Sequence, residues 1–217
     1  MATVLANVAL LPARGVRWVK LAMWTLALIP FARLAVGVAQ NSLGANPIET
    51  ITRTTGWYAL VLLCVTLAVT PARKLLGWPW LMRLRRPLGL FAFFYAALHF
   101  TTWVWFDHFF DLGELARDVV KRPFVLVGFS AFVLMLPLAL TSTQGMMRRL
   151  GGRRWQALHR SVYAVASLGV LHFWWLRAGK HNFADPANFA LIIAILLGAR
   201  LWWRYSPRWF ARVAIRQ

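Results

Sequence analysis

Residues 155–176, WQALHRSVYAVASLGVLHFWWL, form a stretch apolar enough to cross a membrane that nevertheless carries His159 and His172. An ionisable side chain is costly inside a bilayer, so each histidine is expected to face the protein interior and to have a partner there. Neutral imidazole is also a common nitrogen ligand of haem iron. The thirteen-residue step between the two histidines separates their rings by about 20 Å along a helix axis. One histidine should therefore lie near each face of the membrane.

The composition places the chain in the membrane class. Of its 217 residues, 60% are hydrophobic, whereas a soluble domain is about 45–50% apolar. The formal charge of +19 is compatible with nucleic-acid binding, but the basic residues cluster between long apolar runs. That arrangement is typical of a membrane topology signal. We therefore expect contact with anionic membrane lipid and no nucleic-acid partner.

Several classes of site are excluded. Cys64 is the only cysteine, so an intrachain disulfide is impossible, and its apolar surroundings predict a small core residue. The chain contains no Walker-type loop and no dinucleotide-binding fingerprint. It also has no polar block long enough for a flavin–nicotinamide domain. Residues 1–217 are thus expected to form a single membrane domain.

Apolar runs predict the fold class, an all-α bundle of six transmembrane helices similar to a b-type cytochrome. The helices are predicted near residues 19–38, 54–70, 87–106, 123–140, 156–176 and 187–203. Pro30 and Pro137 should kink the first and fourth helices. The first run could instead be a cleaved signal peptide, but its apolar part is long and irregular and contains Arg33, which favours a span.

The charges between the runs predict the orientation. The N-terminal side carries 17 of the 25 Lys and Arg residues: Arg14, Arg17, Lys20, Arg73, Lys74, Arg83, Arg85, Arg86, Arg148, Arg149, Arg153, Arg154, Arg200, Arg204, Arg208, Arg212 and Arg216. All six acids fall on the other side: Glu49, Asp107, Asp111, Glu114, Asp118 and Asp185. Because cytoplasmic loops are enriched in Lys and Arg, both termini are predicted to be cytoplasmic, in a multi-pass protein of a bacterial inner membrane.

Depth in the membrane pairs two of the histidines. His99 lies about 18 Å along the third helix from its cytoplasmic start, and His172 lies about 24 Å along the fifth. Two neutral imidazoles at a similar depth could hold one six-coordinate b-type haem. The competing interpretation is that they are hydrogen-bonded packing residues. His159 remains near the cytoplasmic face, level with Arg85 and Arg86, which could pair with haem propionates or with a phosphate.

One geometric difficulty accompanies this pairing. On an ideal helix the thirteen-residue step leaves His159 and His172 about 140° apart around the axis. Either the helix is locally distorted or the two rings face different partners. The remaining histidines, His108 and His181, lie between apolar runs near acids. They could contact a partner or a metal, but they are expected to be solvated loop residues.

The sequence also resembles a known family. The motifs that carry the resemblance are NPIETITRTTGWYAL (46–60), LAVTPARKL (67–75), RRPLGLFAFFYAALHF (85–100), KRPFVLVGF (121–129), PLALTS (137–142), WQALHRSVY (155–163) and LHFWW (171–175). Together they resemble the MsrQ family of haem-bearing membrane subunits of bacterial methionine sulfoxide reductase systems, within the ferric-reductase-like transmembrane superfamily.

The resemblance implies a function and a set of cofactors. It places His99, His159 and His172 around haem b and adds FMN as a second cofactor. The implied donor is the quinol pool or a cytosolic flavin reductase. The implied acceptor is MsrP, a periplasmic molybdopterin reductase that repairs oxidised methionines, so the chain would be an electron-transfer subunit and not the catalytic one. Related NADPH oxidases place four histidines around two haems, one more than the apolar core of this chain contains.

Two other functions remain open. A ferric reductase or oxidase core would reduce a small external acceptor, but the chain has no fused flavin domain. A haem-free transporter or scaffold would not need histidines at matched depths, and the apolar runs contain no acids for ion coupling. A haem spectrum separates the electron-transfer functions from the transporter.

Overall fold

The computed structural model describes residues 11–179 and 181–214, with side chains as far as residue 205. All regular elements in this part of the chain are helical, as predicted. The α-helices are α1 (Ala13–Ala39), α2 (Pro47–Leu76), α3 (Met82–Thr102), α4 (Leu112–Lys121), α5 (Pro123–Leu140), α6 (Gln144–His159), α7 (Val162–Ala178) and α8 (Ala184–Ala214). A 3₁₀ turn, Pro79–Leu81, precedes α3, and a π-helical turn, Trp103–Asp107, continues it.

Five segments of the described chain are long and apolar enough to cross a membrane. They are Ala13–Ala39, Pro47–Leu76, Pro79–Asp107, Pro123–Leu140 and Ala184–Tyr205. These segments contain the first, second, third, fourth and sixth predicted spans. Several are longer than predicted because polar residues continue the helix beyond the apolar run. At the start of α2, for example, the Asn46 side chain accepts a hydrogen bond from the Glu49 N–H at 3.1 Å and caps the helix.

The structure divides the predicted fifth span, 156–176, between two helices. α6 ends at His159 and α7 begins at Val162. The intervening N–H groups of Arg160 and Ser161 donate to carbonyls three residues back, at 3.2 and 3.0 Å. This tighter winding turns each residue by about 120° instead of 100°. Over about three residues it reduces the angle between His159 and His172 from about 140° to about 80°.

The division of this stretch also affects the number of spans. α7 has 17 residues, at the lower limit of about 17–25 for a transmembrane helix. The prediction of six spans therefore stays a prediction, whereas five are supported by length and composition.

The core of the bundle lies where α2, α3 and α7 meet. Ala92 and Ala166 are fully buried, and Leu67 is 1% exposed. Small side chains let membrane helices approach closely, because packing is what holds such helices together in lipid. Cys64 is buried in the same apolar cluster, which confirms its prediction as a core residue.

Tyr95 joins α3 to α1 through hydrogen bonds from its hydroxyl group. Its hydroxyl donates to the carbonyl of Ala27 at 2.7 Å and accepts from the N–H of Phe31 at 3.1 Å. In a regular α-helix those two groups would bond directly to each other. The tyrosine thus bonds to the α1 backbone beside Pro30, where the proline already removes one donor.

The two ends of the bundle differ in charge. The acidic end comprises residues 40–53, 103–122, 177–179 and 181–185. All ion pairs among the described residues lie there, including Arg53–Glu49, Arg122–Asp118 and Arg177–Asp185. The basic end comprises the 77–86 connection, α6 and the adjoining turns of α2, α7 and α8. Contacts there include the Lys74 ammonium, 4.8 Å from the ring centre of Trp203.

Candidate haem-binding site

The structure brings His99 and His172 together inside the bundle. Their ring centres are 6.2 Å apart and their planes are inclined by 75°. His99 comes from α3 and His172 from α7, so the two helices present imidazoles to each other at one level. The depth argument from the sequence predicted this juxtaposition.

His99 is oriented by the first half of α2. Its Nδ1 lies 2.9 Å from the carbonyl oxygen of Thr52. One helical turn further along α2, Gly56 lies against the ring, and a Cβ built there would be 3.0 Å from two ring atoms. The missing side chain at Gly56 therefore lets the imidazole lie directly on the α2 backbone.

His172 is held in the same way by α5. Its Nδ1 lies 2.7 Å from the carbonyl oxygen of Phe124. Gly128 follows one turn later, and a Cβ built there would be 2.6 Å from Nδ1. The two glycines were not singled out in the sequence; the only signal was their occurrence inside apolar helices, which otherwise favour bulkier residues.

The hydrogen bonds define which nitrogen is available in each ring. A backbone carbonyl can only accept, so Nδ1 must carry the proton and Nε2 keeps its lone pair. Metal-binding histidines are commonly oriented by such a bond from the other ring nitrogen. In both rings, Nε2 is therefore the nitrogen that can bind a metal ion.

The spacing fits a metal between the rings. Two metal–nitrogen bonds of about 2 Å, plus about 1 Å from each nitrogen to its ring centre, add to roughly 6 Å. An aromatic ring adjoins the pair, since the ring centres of Phe124 and His172 are 6.1 Å apart. An apolar shell limits access of water to a bound metal. The pair consequently fits a haem that would be held between the two imidazoles.

His159 lies elsewhere, at the basic end. Its ring stacks on Trp155 with centres 3.8 Å apart, and Nδ1 lies 3.1 Å from the Trp155 carbonyl. Its Nε2 is buried and has no hydrogen-bond partner among the described residues. Burial lowers the pKa of His159, and the positive charges of Arg85 and Arg86 lower it further. The structure thus groups His159 with the two predicted arginines and separates it from the His99–His172 pair.

The expectation for His108 is wrong. Its side chain is 12% exposed, and Nε2 lies 3.2 Å from a carboxylate oxygen of Asp118. Asp118 also accepts from the Trp103 indole at 3.3 Å and pairs with Arg122 at 2.8 Å. The cause is α4, an amphipathic helix that the sequence analysis did not predict, which covers the histidine. His181 is exposed in the connection before α8, as expected.

Sequence comparisons identify similar proteins. Residues 55–170 match the family model described as "Ferric reductase like transmembrane component". A protein-methionine-sulfoxide reductase heme-binding subunit MsrQ from Herminiimonas arsenicoxydans is 60% identical over 190 residues, which cover 88% of this chain and 87% of that protein. The MsrQ of Ralstonia nicotianae is 56% identical over 195 residues and 90% of both chains.

A third relative matches this chain over nearly all of its own length. The MsrQ of Bordetella pertussis is 52% identical over 196 residues, which cover 89% of this chain and 95% of that protein. No solved structure matches the chain.

Proposed function

Since the chain belongs to the ferric reductase like transmembrane family and to its MsrQ members, we propose that it is the haem-binding membrane subunit of a protein-methionine-sulfoxide reductase. The observation that carries this proposal is the pair His99 and His172, with ring centres 6.2 Å apart. Few structural roles require two imidazoles to face each other across an apolar interior.

Two groups of residues would hold haem b: the ligands themselves and the backbone groups that orient them. His99 and His172 would hold the haem through Nε2. The carbonyls of Thr52 and Phe124 keep those rings in one tautomer and one orientation. A bound b-type haem supplies one-electron transfer. With both imidazoles engaged, these residues would favour electron transfer over the binding of an external substrate.

The direction of transfer follows from the charges. The basic end, with most of the Lys and Arg residues, lies in the cytoplasm of a bacterial inner membrane, and the acidic end faces the periplasm. Electrons enter from the quinol pool or from a cytosolic flavin reductase. They leave towards an MsrP-like molybdopterin subunit in the periplasm, which reduces oxidised methionines. Residues 1–217 act as one electron-transfer domain.

The basic end supplies a second cofactor site. Arg85 and Arg86 lie close enough to His159 to affect its protonation, and guanidinium groups bind phosphate through paired hydrogen bonds. We assign this group to the phosphate of FMN, which would lie between the cytoplasmic donor and the haem. His159 lies at the same end, where its ring stacks on Trp155 with centres 3.8 Å apart.

The proposal is tested with purified full-length protein in lipid nanodiscs. A pyridine haemochrome assay should give haem b with a low-spin spectrum. His99→Ala and His172→Ala should each abolish that spectrum, whereas His159→Ala should keep haem and alter its rate of reduction. His181→Ala, a change at an exposed loop histidine, is the matched control and should resemble the parent.

The second step of the test concerns the acceptor. Reduced protein should be reoxidised by the periplasmic molybdopterin subunit and not by a ferric chelate. Full haem retention in His99→Ala would overturn the ligand assignment. Reoxidation by the chelate alone would indicate a ferric reductase instead.

A further inference from the structure

A cleft of about 1000 Å³ lies between α1 and α2, in the part of the bundle nearest the acidic end. Two cations line it, Arg33 from α1 and Arg53 from α2. The other walls are mainly apolar and include Ile29, Leu34, Val36, Leu43 and Trp57. An apolar cleft with a few polar groups is typical of a ligand site.

The two arginines lie at the same depth. Arg33 precedes the end of α1 at Ala39 by six residues, and Arg53 follows the start of α2 at Pro47 by six residues. Each step is a rise of about 9 Å along its helix. α1 has 27 residues and is therefore about 40 Å long, whereas the hydrocarbon core of a bilayer is about 30 Å thick. Arg33 consequently lies near the boundary between acyl chains and phospholipid headgroups.

Arg33 has no counter-charge among the described residues. All six acidic side chains belong to that part of the chain, and no ion pair there involves Arg33. Arg53 differs, because it pairs with Glu49 at 3.1 Å. A cation without a partner is costly at the edge of the hydrocarbon core. The unbalanced charge of Arg33 therefore favours an anionic ligand in the cleft.

The cleft and the proposed haem site lie on opposite sides of α2. The ring of His99 lies against this helix at Thr52 and Gly56. The cleft is lined instead by residues 50, 53, 54, 57 and 58 of α2. On an ideal helix the centres of these two groups are about 150° apart around the axis. Propionates of a haem at His99 and His172 would therefore lie across α2 from the cleft, and the anion must have another source.

The wall of the cleft at the acidic end is fixed to both helices. Leu43 belongs to residues 40–46, which connect α1 to α2, and it lines this end of the cleft. Its side chain lies against Gly37 of α1, where a Cβ would overlap it. Its carbonyl accepts a hydrogen bond from the Thr50 hydroxyl of α2 at 3.1 Å. A ligand that enters between the helices, from the lipid, does not have to displace this connection.

We propose that the cleft binds one anionic phospholipid of the leaflet at the acidic end, with its phosphate at Arg33 and an acyl chain along the apolar walls. A guanidinium group binds phosphate oxygens through paired hydrogen bonds. The hydroxyl groups of Ser42 and Thr54 also line the cleft and can donate to headgroup oxygens. Basic clefts between transmembrane helices bind anionic headgroups in this way. The proposal is independent of the proposed function, because neither haem ligand takes part.

The test measures the lipid that full-length protein retains. The protein is placed in nanodiscs with equal amounts of phosphatidylglycerol and phosphatidylcholine, transferred to mild detergent and analysed by native mass spectrometry. The parent should retain one phosphatidylglycerol molecule in preference to phosphatidylcholine. Arg33→Gln should lower this retention about tenfold or more, because a charge-assisted hydrogen bond is lost. Arg33→Lys should show a smaller loss, since lysine keeps the charge but not the paired hydrogen bonds.

Two further variants separate a specific cleft from a general attraction between cations and lipid. Arg117→Gln removes an exposed charge from α4 at the same end of the bundle and should retain lipid as the parent does. Ala32→Trp adds bulk to the wall of the cleft without changing its charge and should lower retention as Arg33→Gln does. Parental retention in Arg33→Gln or in Ala32→Trp would overturn the proposal. An equal loss in Arg117→Gln would overturn it as well.

The remaining measurements exclude misfolding and a neutral ligand. The elution volume and haem spectrum of each variant should match those of the parent. If Arg33→Gln does not fold, Ala32→Trp decides, and parental retention there overturns the proposal. A ubiquinone analogue is also titrated into phosphatidylcholine nanodiscs, and an effect of Arg33→Gln on the quinone without one on phosphatidylglycerol would overturn the lipid assignment. Absence of haem from the parent would contradict the proposed function alone, so the two failures are distinguishable.

Discussion

The rings of His99 and His172 lie 6.2 Å apart, and each is supported by the same pair of backbone features. In both cases Nδ1 donates to a carbonyl, of Thr52 or of Phe124. In both cases a glycine four residues after that carbonyl lies against the ring. α2 and α5 therefore support the two imidazoles equivalently, although neither helix contributes a side chain to the proposed ligation.

The first prediction concerns these glycines. A Cβ at position 128 would lie 2.6 Å from Nδ1 of His172, and one at position 56 would lie 3.0 Å from His99. Gly128→Ala should therefore displace its histidine more than Gly56→Ala. Loss of ligand orientation lowers metal affinity by about 10–100-fold, so haem titration of the apoprotein should show a loss of that order for Gly128→Ala and a smaller one for Gly56→Ala.

Gly198→Ala is the control for this series, because a Cβ at position 198 meets no atom within 4 Å. It also lies inside an apolar span. Equal haem affinity in all three variants would show that the rings do not depend on the close helix contact.

The second prediction concerns topology. Because the acids lie at one end and most Lys and Arg residues at the other, both termini should be cytoplasmic. Alkaline phosphatase fused after Gln217 should be inactive, whereas green fluorescent protein at the same position should fluoresce. Strong phosphatase activity would reverse the orientation and the direction of electron flow.

The third prediction concerns the arginines beside His159. Arg→Lys preserves the charge that sets topology and attracts anionic lipid, but it loses the paired hydrogen bonds of a guanidinium. Arg85→Lys and Arg86→Lys should therefore insert normally and show haem reduction by the cytoplasmic donor slowed by about tenfold. Stopped-flow absorbance at the haem band measures this rate.

Arg154→Lys, in exposed α6, serves as the comparison for the arginine variants. Parental rates in both Arg85→Lys and Arg86→Lys would mean that these arginines act only as topology signals and lipid contacts.

The fourth prediction concerns Tyr95. Tyr95→Phe removes the hydroxyl that joins the Ala27 carbonyl to the Phe31 N–H. Removing this bridge between the buried Ala27 carbonyl and the partly buried Phe31 N–H should reduce the free energy of unfolding by about 1–3 kcal/mol. Thermal unfolding in detergent should show a lower Tm. Tyr58→Phe is the control, since the adjacent Tyr58 contacts the Tyr95 ring at 5.7 Å between centres, and a Tm for Tyr95→Phe equal to that of the control would contradict the bridging role.

The sequence by itself determined the helical membrane class and the level of the candidate ligands. A backbone in lipid must satisfy its hydrogen bonds internally, so long apolar runs become helices. The constant rise of a helix then converts residue spacing into depth. For that reason His99 and His172 could be paired before the structure was known, and Arg85 and Arg86 could be placed beside His159.

Tertiary structure decided the features that depend on how helices are rotated and which helix lies beside which. These include the glycine supports at positions 56 and 128, the tightened turn after His159, the covering of His108 by α4, and the cleft between α1 and α2 that Arg33 lines. Hydrophobic periodicity is weak in helices that are apolar on every side, because lipid and core both favour apolar residues. The rotation of each helix about its axis and the choice of its neighbouring helix are therefore determined by side-chain packing and by unpaired backbone groups. Only the folded arrangement brings these groups together.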